Sequence, residues 1–296
     1  MATLTVGIIS PGQMGSGIGA VLHHHGARVI TSLVGRGPGT RERAERAGFI
    51  AVDDDAALVS QADIILSVLA PALAVDIAER IASAVRASGA NLLYVDCNAI
   101  SPVRAKMVEA TVTKAGSGVH FADVGIVGGP PKVGGSGPRF YASGPAAQEF
   151  AQLGDYGLEI ELLGGETGRA SGFKMCYGAL TKGLTALATS VLVASRRLGL
   201  EAPLTAEFED SQATLFGMLQ RQIPSMPPKA GRWVGEMEEI SATLSAAGVP
   251  GEFHQGAANL YDWIAHTLTI EEEHGVPKPL SLDEIITTLA DSPHEQ

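Results

Sequence analysis

The sequence predicts an α/β domain built on a parallel sheet and followed by an all-α domain, and three observations predict it. From residue 4 to about residue 163, short β-branched runs alternate with helical stretches, the pattern of a parallel sheet with helices on both faces. After Gly164-Gly165 no strand-like run follows, and residues 168–198 read as one long helix. A chain of 296 residues also exceeds the usual size of one domain. The boundary is therefore placed between residues 164 and 165, giving domains of 1–164 and 165–296.

The expected strands cover residues 4–10, 28–33, 64–68 and 92–96, then 122–127, 139–142 and 158–163. A Gly/Pro-rich loop, residues 128–138, separates the fifth and sixth of these. In the long helix, Leu180, Leu184, Leu187 and Val191 recur at helical spacing, while Gly172, Gly178, Ala179, Gly183, Ala186 and Ala188 permit close approach of neighbours. This predicts a buried central helix with the leucines inward. Further helices are expected near residues 206–220, 231–247 and 252–267, separated by proline-bearing segments at 224–228 and 248–250.

Composition narrows the function classes. The chain is 45% hydrophobic and 18% charged, which argues against disorder, and its formal charge of −11 opposes binding to nucleic acid or to an anionic membrane surface. A small-molecule partner is expected instead. Apolar runs are interrupted before the ~20 residues that span a bilayer. The opening residues run straight into a β-like segment with no secretion-signal pattern. Two cysteines without ligand spacing suit a reducing cytoplasm, Cys97 reading as a loop-edge residue and Cys176 as buried packing. No metal site is predicted, since His254, Tyr261 and His266 lack ligand spacing.

Gly7-Ile8-Ile9-Ser10-Pro11-Gly12-Gln13-Met14-Gly15 ends the first strand and opens a helix, the context that gives a glycine fingerprint its meaning. The α/β domain is thus predicted to be a Rossmann domain. Ser10, Pro11, Gly12, Gln13 and Met14 would meet the cofactor, with Gly12 admitting the pyrophosphate and the helix N-terminus offering free N–H groups. Ser10 stands where the first glycine is usual. The competing reading is an ordinary glycine-rich turn. Where an NAD enzyme carries an acid after the second strand, this chain has Leu33-Val34-Gly35-Arg36. Arg36, with Thr40, Arg41 and Arg43 nearby, suits a 2′-phosphate, so NADP(H) is favoured over NAD(H).

Four blocks together resemble the β-hydroxyacid dehydrogenase superfamily, which includes hydroxyisobutyrate and 6-phosphogluconate dehydrogenases and has imine reductases as structural relatives. They are Gly12-Gln13-Met14-Gly15, Ser67-Val68-Leu69-Ala70-Pro71, Val95-Asp96-Cys97-Asn98-Ala99-Ile100-Ser101-Pro102 and Gly165-Glu166-Thr167-Gly168-Arg169-Ala170-Ser171-Gly172-Phe173-Lys174. The resemblance spans nearly the whole chain. It implies that the first block lines the cofactor phosphates, that Leu69, Ala70 and Asn98 border the nicotinamide end, and that Lys174 assists proton transfer. It also implies a homodimer.

Chemistry recommends Lys174 independently, because hydride transfer between alcohol and carbonyl needs a group that takes and returns the hydroxyl proton. Lys174 lies off the leucine stripe, where it is expected to face a cleft between the domains. Tyr177, one turn further on, is a candidate to share the proton or orient substrate, and the alternative is a packed core tyrosine. Asn98 follows a strand at its carboxyl end, where α/β sheets place ligands; its alternative is a turn or cap ahead of Pro102.

Two departures separate the chain from hydroxy-acid dehydrogenases. Gly178 stands where their asparagine follows the lysine, and Val127-Gly128-Gly129 aligns with their carboxylate-binding Ser-Gly-Gly. Val127, Gly128 and Gly129 remain candidate substrate contacts through backbone N–H groups. The expected substrate is a small hydroxy acid, a hydroxy amino acid or a related alcohol or carbonyl. The alternatives are an NADPH-dependent imine reductase and, in another class, a non-catalytic NADP-binding sensor. In the C-terminal half, Glu236 and Glu239 share a helix face with Trp233 nearby, which reads as a helix interface with a solvated acidic face.

Overall fold

The computed structural model describes residues 3–270, 272–273 and 276–292. The chain divides into two compact units, Met1–Met175 and Cys176–Gln296.

The first unit is a twisted eight-stranded sheet with helices on both faces. Its strands are β1 (Thr5–Ile9), β2 (Arg28–Ser32), β3 (Ile50–Val52), β4 (Ile64–Ser67), β5 (Leu92–Asp96), β6 (Val119–Val127), β7 (Arg139–Ser143) and β8 (Glu159–Leu162). The helices between them are α1 (Gln13–His24), α2 (Pro38–Arg46), α3 (Asp55–Gln61), α4 (Ala74–Ser88), α5 (Pro102–Thr113) and the short α6 (Ala147–Phe150). Spatial order is β3-β2-β1-β4-β5-β6-β7-β8, so the order reverses between β1 and β4 and opens a crevice at their carboxyl ends.

Successive residues of the central strands face opposite sides, which is why the strands are continuously apolar. On one face, Ile8 and Val95 pack with Ile18 and Leu22 of α1; on the other, Ile9, Ile65 and Tyr94 pack with Leu58, Ile77, Ile81 and Val108 of α3, α4 and α5.

The sheet departs from the expected all-parallel form at one place. Strands β6 and β7 pair antiparallel, whereas β7 and β8 run parallel to each other. The connection over residues 128–138 carries no helix, and only an antiparallel neighbour can be reached without a crossover of that kind. Strand β6 begins at Val119 rather than residue 122, and β3 is a three-residue edge strand that alternation alone did not announce.

Helix α7 (Arg169–Arg197) begins in the first unit and continues into the second, which adds α8 (Glu201–Ser211), α9 (Ala213–Gln222), α10 (Ala230–Ala246), α11 (Glu252–Thr267) and α12 (Leu282–Asp291). The single helix expected over 206–220 is two, broken at Gln212, whose φ of −132° and ψ of 30° leave the helical region. Helix α12 and a two-strand ribbon, Glu272–Glu273 with Val276–Pro277, follow where the sequence reading ended the helical pattern. A capping box formed by Ser281 and Glu284 starts α12.

The expectation of inward leucines on α7 is reversed. Leu180 is 71% and Leu187 46% exposed, and between Cys176 and Val191 the buried positions of α7 are small residues such as Gly178, Gly183, Thr185, Ala186 and Thr189. A Cβ on Gly178 would lie 3.2 Å from Ile240, and one on Gly183 3.1 Å from both Phe253 and His254. That closeness lets His254 Nε2 meet the Ala179 carbonyl at 3.2 Å and the Tyr261 hydroxyl donate to the Lys182 carbonyl at 2.6 Å. Larger side chains on that face would keep α10 and α11 from the helix backbone, so the leucines turn outward.

Glu236 and Glu239 are not a solvated acidic face either, for both are 7% exposed. Glu236 pairs with Lys182 and, at 3.4 Å, with Arg232. Trp233 packs edge-on against Tyr261. The cysteine assignments are likewise exchanged, Cys97 being buried beneath the β5 edge and Cys176 exposed on α7. By length and composition α7 is long and apolar enough to cross a membrane, although Lys174 and Lys182 interrupt its apolar runs. Its two interior lysines are engaged as in a packed helix, Lys174 by the Ile126 carbonyl and Lys182 by Glu236.

Candidate active site

The glycine turn after β1 is a strained backbone joint. Ser10 has φ of 64°, the left-handed region, and it is the sole residue other than glycine to do so among those described. Its carbonyl accepts the Gly12 N–H at 2.7 Å, which closes the turn so that α1 starts at Gln13. Gly15 is required by close approach, because a Cβ there would lie 2.9 Å from the Ser10 carbonyl oxygen. Gly12 is different: a Cβ would meet no protein atom nearer than 4.0 Å, so the space before the α1 N-terminus stands open. A diphosphate needs that opening in front of free N–H groups.

After β2, the loop bearing Arg36 is held by its own arginine. Arg41 donates to the carbonyls of Leu33 at 2.7 Å and Arg36 at 3.0 Å, while Arg43 donates to Thr40 Oγ1 at 3.0 Å. Gly35, with φ of 70°, turns the chain into α2. No acid stands between the end of β2 and Arg36.

At the ends of β4 and β5, Asn98 is 3% exposed and ties two loops together. Its Oδ1 accepts the Leu69 N–H at 2.7 Å, and its Nδ2 donates to Ser67 Oγ and to Asp96 Oδ2, each at 3.1 Å. The Asn98 backbone N–H donates to Asp96 Oδ1 at 2.8 Å. Leu69 and Ala70 are therefore positioned by Asn98, which itself hangs from Asp96.

Asp96 is fully enclosed, and burial pushes its carboxyl up to about 7, with Asp123 adding to the rise and the two Asn98 bonds opposing it. Asp123 is its direct neighbour in the β5–β6 register. Because the folded pKa exceeds the ordinary 3.8, the native state keeps a proton that the unfolded chain releases. This contribution to stability is complete at low pH and is lost as pH rises from about 4 to about 7. Thermal melts of Asp96→Asn should accordingly gain on the native chain across that window and run parallel to it above about pH 7. A constant difference at every pH would overturn the assignment.

Lys174 lies in the second turn of α7, and its Nζ donates to the Ile126 carbonyl at the carboxyl end of β6. The approach is close because Gly125 has no side chain: a Cβ there would sit 2.7 Å from the Ala170 carbonyl oxygen and 3.0 Å from the Lys174 Cβ. Val127, Gly128 and Gly129 follow, Gly128 with φ of 131° and with Pro138 close enough to exclude a Cβ. A Cβ on Gly17 would lie 2.7 Å from the Pro131 carbonyl oxygen, so this loop lies against the start of α1.

Residues Ser10 to Met14, Arg36, Leu69, Ala70, Asn98, Val127 to Gly129 and Lys174 thus all stand at the carboxyl edge of one sheet. Tyr177 belongs to the second unit and is 49% exposed, so it is not a packed core tyrosine. Sequence reasoning gave no individual role to Asp96, Asp123, Ser143 or Ser171, all buried. The available signal was an aspartate at the end or in the middle of an apolar strand, where a charge has no place unless it is bonded.

A doubly wound sheet with a glycine turn at its switch point defines an NAD(P)-binding Rossmann domain, here joined to a helical unit. Residues 5–154 match the NAD binding domain of 6-phosphogluconate dehydrogenase, and residues 195–264 match a domain of unknown function, DUF1932. The chain belongs to the 6-phosphogluconate dehydrogenase-like family within the β-hydroxyacid dehydrogenase superfamily. It is a dehydrogenase or reductase of that type.

Among solved structures, a conserved protein of unknown function described as structurally similar to 3-hydroxyacid dehydrogenases is 31% identical, covering 89% of this chain and 97% of that one, with a TM-score of 0.67. The 3-hydroxyisobutyrate dehydrogenase of Mycobacterium tuberculosis, solved with L-serine, is 19% identical over 97% of this chain and 99% of its own, at a TM-score of 0.70. An imine reductase from Myxococcus stipitatus in complex with NADP+ is 20% identical over 96% and 99%, at 0.55. The two latter likenesses are of fold.

Proposed function

We propose that the chain transfers hydride between NADP(H) and a small hydroxy acid, hydroxy amino acid or related alcohol or carbonyl, with Lys174 as general acid and base. The carrying observation is the placement of Lys174 at the carboxyl edge that also bears the glycine turn. A lysine ammonium there donates a proton to the nascent alkoxide in reduction and, as the amine, accepts it in oxidation. NADP(H) is taken over NAD(H) because Arg36 occupies the loop where an acid would bind ribose hydroxyls. The bound cofactor supplies the hydride. This chain's residues seat the diphosphate at the α1 N-terminus, set Leu69 and Ala70 at the nicotinamide end through Asn98, and hold the proton at Lys174 Nζ.

The backbone N–H groups of Val127, Gly128 and Gly129 are assigned to the substrate, and Tyr177, one turn beyond Lys174, to orienting it. The imine reductase alternative draws support from the fold shared with the Myxococcus stipitatus enzyme and from Gly178 in place of an asparagine. Lys174 itself weighs for the alcohol reading. We place the enzyme in the cytoplasm, as a homodimer joined through the exposed stripe of Leu180 and Leu187, an apolar surface that a second copy would bury.

The test is fluorescence titration with NADPH and NADH, followed by a screen of alcohols, hydroxy acids and cyclic imines with the tighter cofactor. Tighter NADPH and turnover of alcohols are expected, from protein sedimenting at twice the chain mass. Failure to bind either cofactor removes the oxidoreductase reading, turnover of imines alone selects the alternative, and a single-chain mass removes the dimer.

A further inference from the structure

The buried carboxylate of Asp123 sits where the first turn of α7 meets the sheet. Its Oδ2 accepts the backbone N–H of Gly168 at 2.8 Å and of Ser171 at 3.1 Å, together with the Ser143 hydroxyl at 3.0 Å. Its Oδ1 accepts the Ser171 hydroxyl at 2.6 Å. Ser143 Oγ in turn accepts the Ala170 N–H at 2.9 Å. Three N–H groups that a helix start leaves without intrahelical partners are thereby satisfied by side chains of β6 and β7, and a carboxylate meets the positive end of a 29-residue helix.

The same strand then holds the same helix a second time. Three residues beyond Asp123, the Ile126 carbonyl accepts from Lys174 Nζ, three residues beyond Ser171. Between the two attachments Gly125 lets the backbone of α7 lie against β6, with room for no added methyl. A helix can rotate or slide over a strand about one attachment; with two, the start of α7 has one register. Asp123 is 1% exposed and in contact with the helix start, so it touches neither solvent nor any open face of the site.

We propose that Asp123 is a positioning residue for Lys174, fixing the first turn of α7 so that Nζ is delivered to the carboxyl end of β6. The proposal rests on the acid–base reading of Lys174 for its functional meaning, but it is tested without turnover. Asp123→Asn keeps the shape and removes one acceptor, since an amide nitrogen cannot accept from an N–H.

Competitive acetylation with acetic anhydride, read lysine by lysine by mass spectrometry, reports how often Lys174 Nζ leaves its carbonyl. Lys114 and Lys132 of the same unit serve as internal standards. In Asp123→Asn the Lys174 rate should rise about fivefold or more relative to those two, as local opening of the helix start becomes easier. NADPH affinity should stay within about twofold. Ser143→Ala, which removes only the hydroxyl between Asp123 and the Ala170 N–H, should raise the ratio about twofold, and it decides the matter alone if Asp123→Asn does not fold. An unchanged ratio, or a rise shared equally by the standards, overturns the proposal. Failure of the acid–base role would show elsewhere, as an active Lys174→Ala enzyme, and would leave this ratio as expected.

Discussion

Lys174→Ala is expected to hold NADPH within about twofold of the native affinity while losing at least ~10²-fold in turnover, the scale of a lost general acid or base. The two halves of that expectation have separate structural origins. On the proposed reading, affinity resides in the turn from Ser10 to Gly15 and the α1 N-terminus, whereas Lys174 Nζ meets the Ile126 carbonyl of β6. On the same reading, turnover depends on a proton at the carboxyl end of β6, and alanine has none to give. Stability should change little, because Lys174 is part-buried and the first turn of α7 is held independently by Asp123 and Ser143. Stopped-flow and steady-state rates with the substrate found by screening are the check. Equal turnover in both proteins would remove Lys174 from the mechanism and favour a binding protein that senses NADP(H) over an enzyme.

Arg36→Ala should weaken NADPH by about tenfold to a hundredfold and NADH by less than about twofold, since a charge-assisted bond to a phosphate contributes on the order of 1.5–3 kcal/mol and the two cofactors differ only in that phosphate. Among the described residues the Arg36 side chain makes no hydrogen bond or ion pair. Arg41 and Arg43 are differently placed, the first committed to two carbonyls of the loop and the second to Thr40. Their replacement would disturb the loop rather than remove a free cation. Isothermal titration with both cofactors distinguishes the cases, and equal weakening of NADPH and NADH would sink the 2′-phosphate assignment.

Much of the site was legible in the residues because its chemistry is local. The turn Ser10-Pro11-Gly12-Gln13-Met14-Gly15 is one continuous segment, and its strand-to-helix context reads from periodicities of two and 3.6 residues. That a charge, Lys174, lies inside a long Gly/Ala-rich helix was legible for a similar reason. Asn98 was found but its use was not, since bonds to Leu69 and Ser67 join positions about thirty residues apart in the chain. Asp123 was missed altogether. Its partners lie on β7 and at the start of α7, and one-dimensional pattern shows only an acid in an apolar strand.

The errors share a cause. The leucines of α7 and the pair Glu236 and Glu239 were judged by hydropathy, which predicts leucine in and glutamate out. Backbone proximity decided otherwise: glycines and alanines let α10 and α11 approach α7 closely, and Lys182 and Arg232 supplied Glu236 with countercharge where it was enclosed. By itself the sequence determined the alternation of strands and helices and the glycine turn between β1 and α1, because each depends on neighbours within a few residues. Only the tertiary structure decided the antiparallel β7, the outward leucines and the bonds from Asp123 to α7. Each of these depends on which distant segments meet, and shape and charge settle that after the local elements have formed.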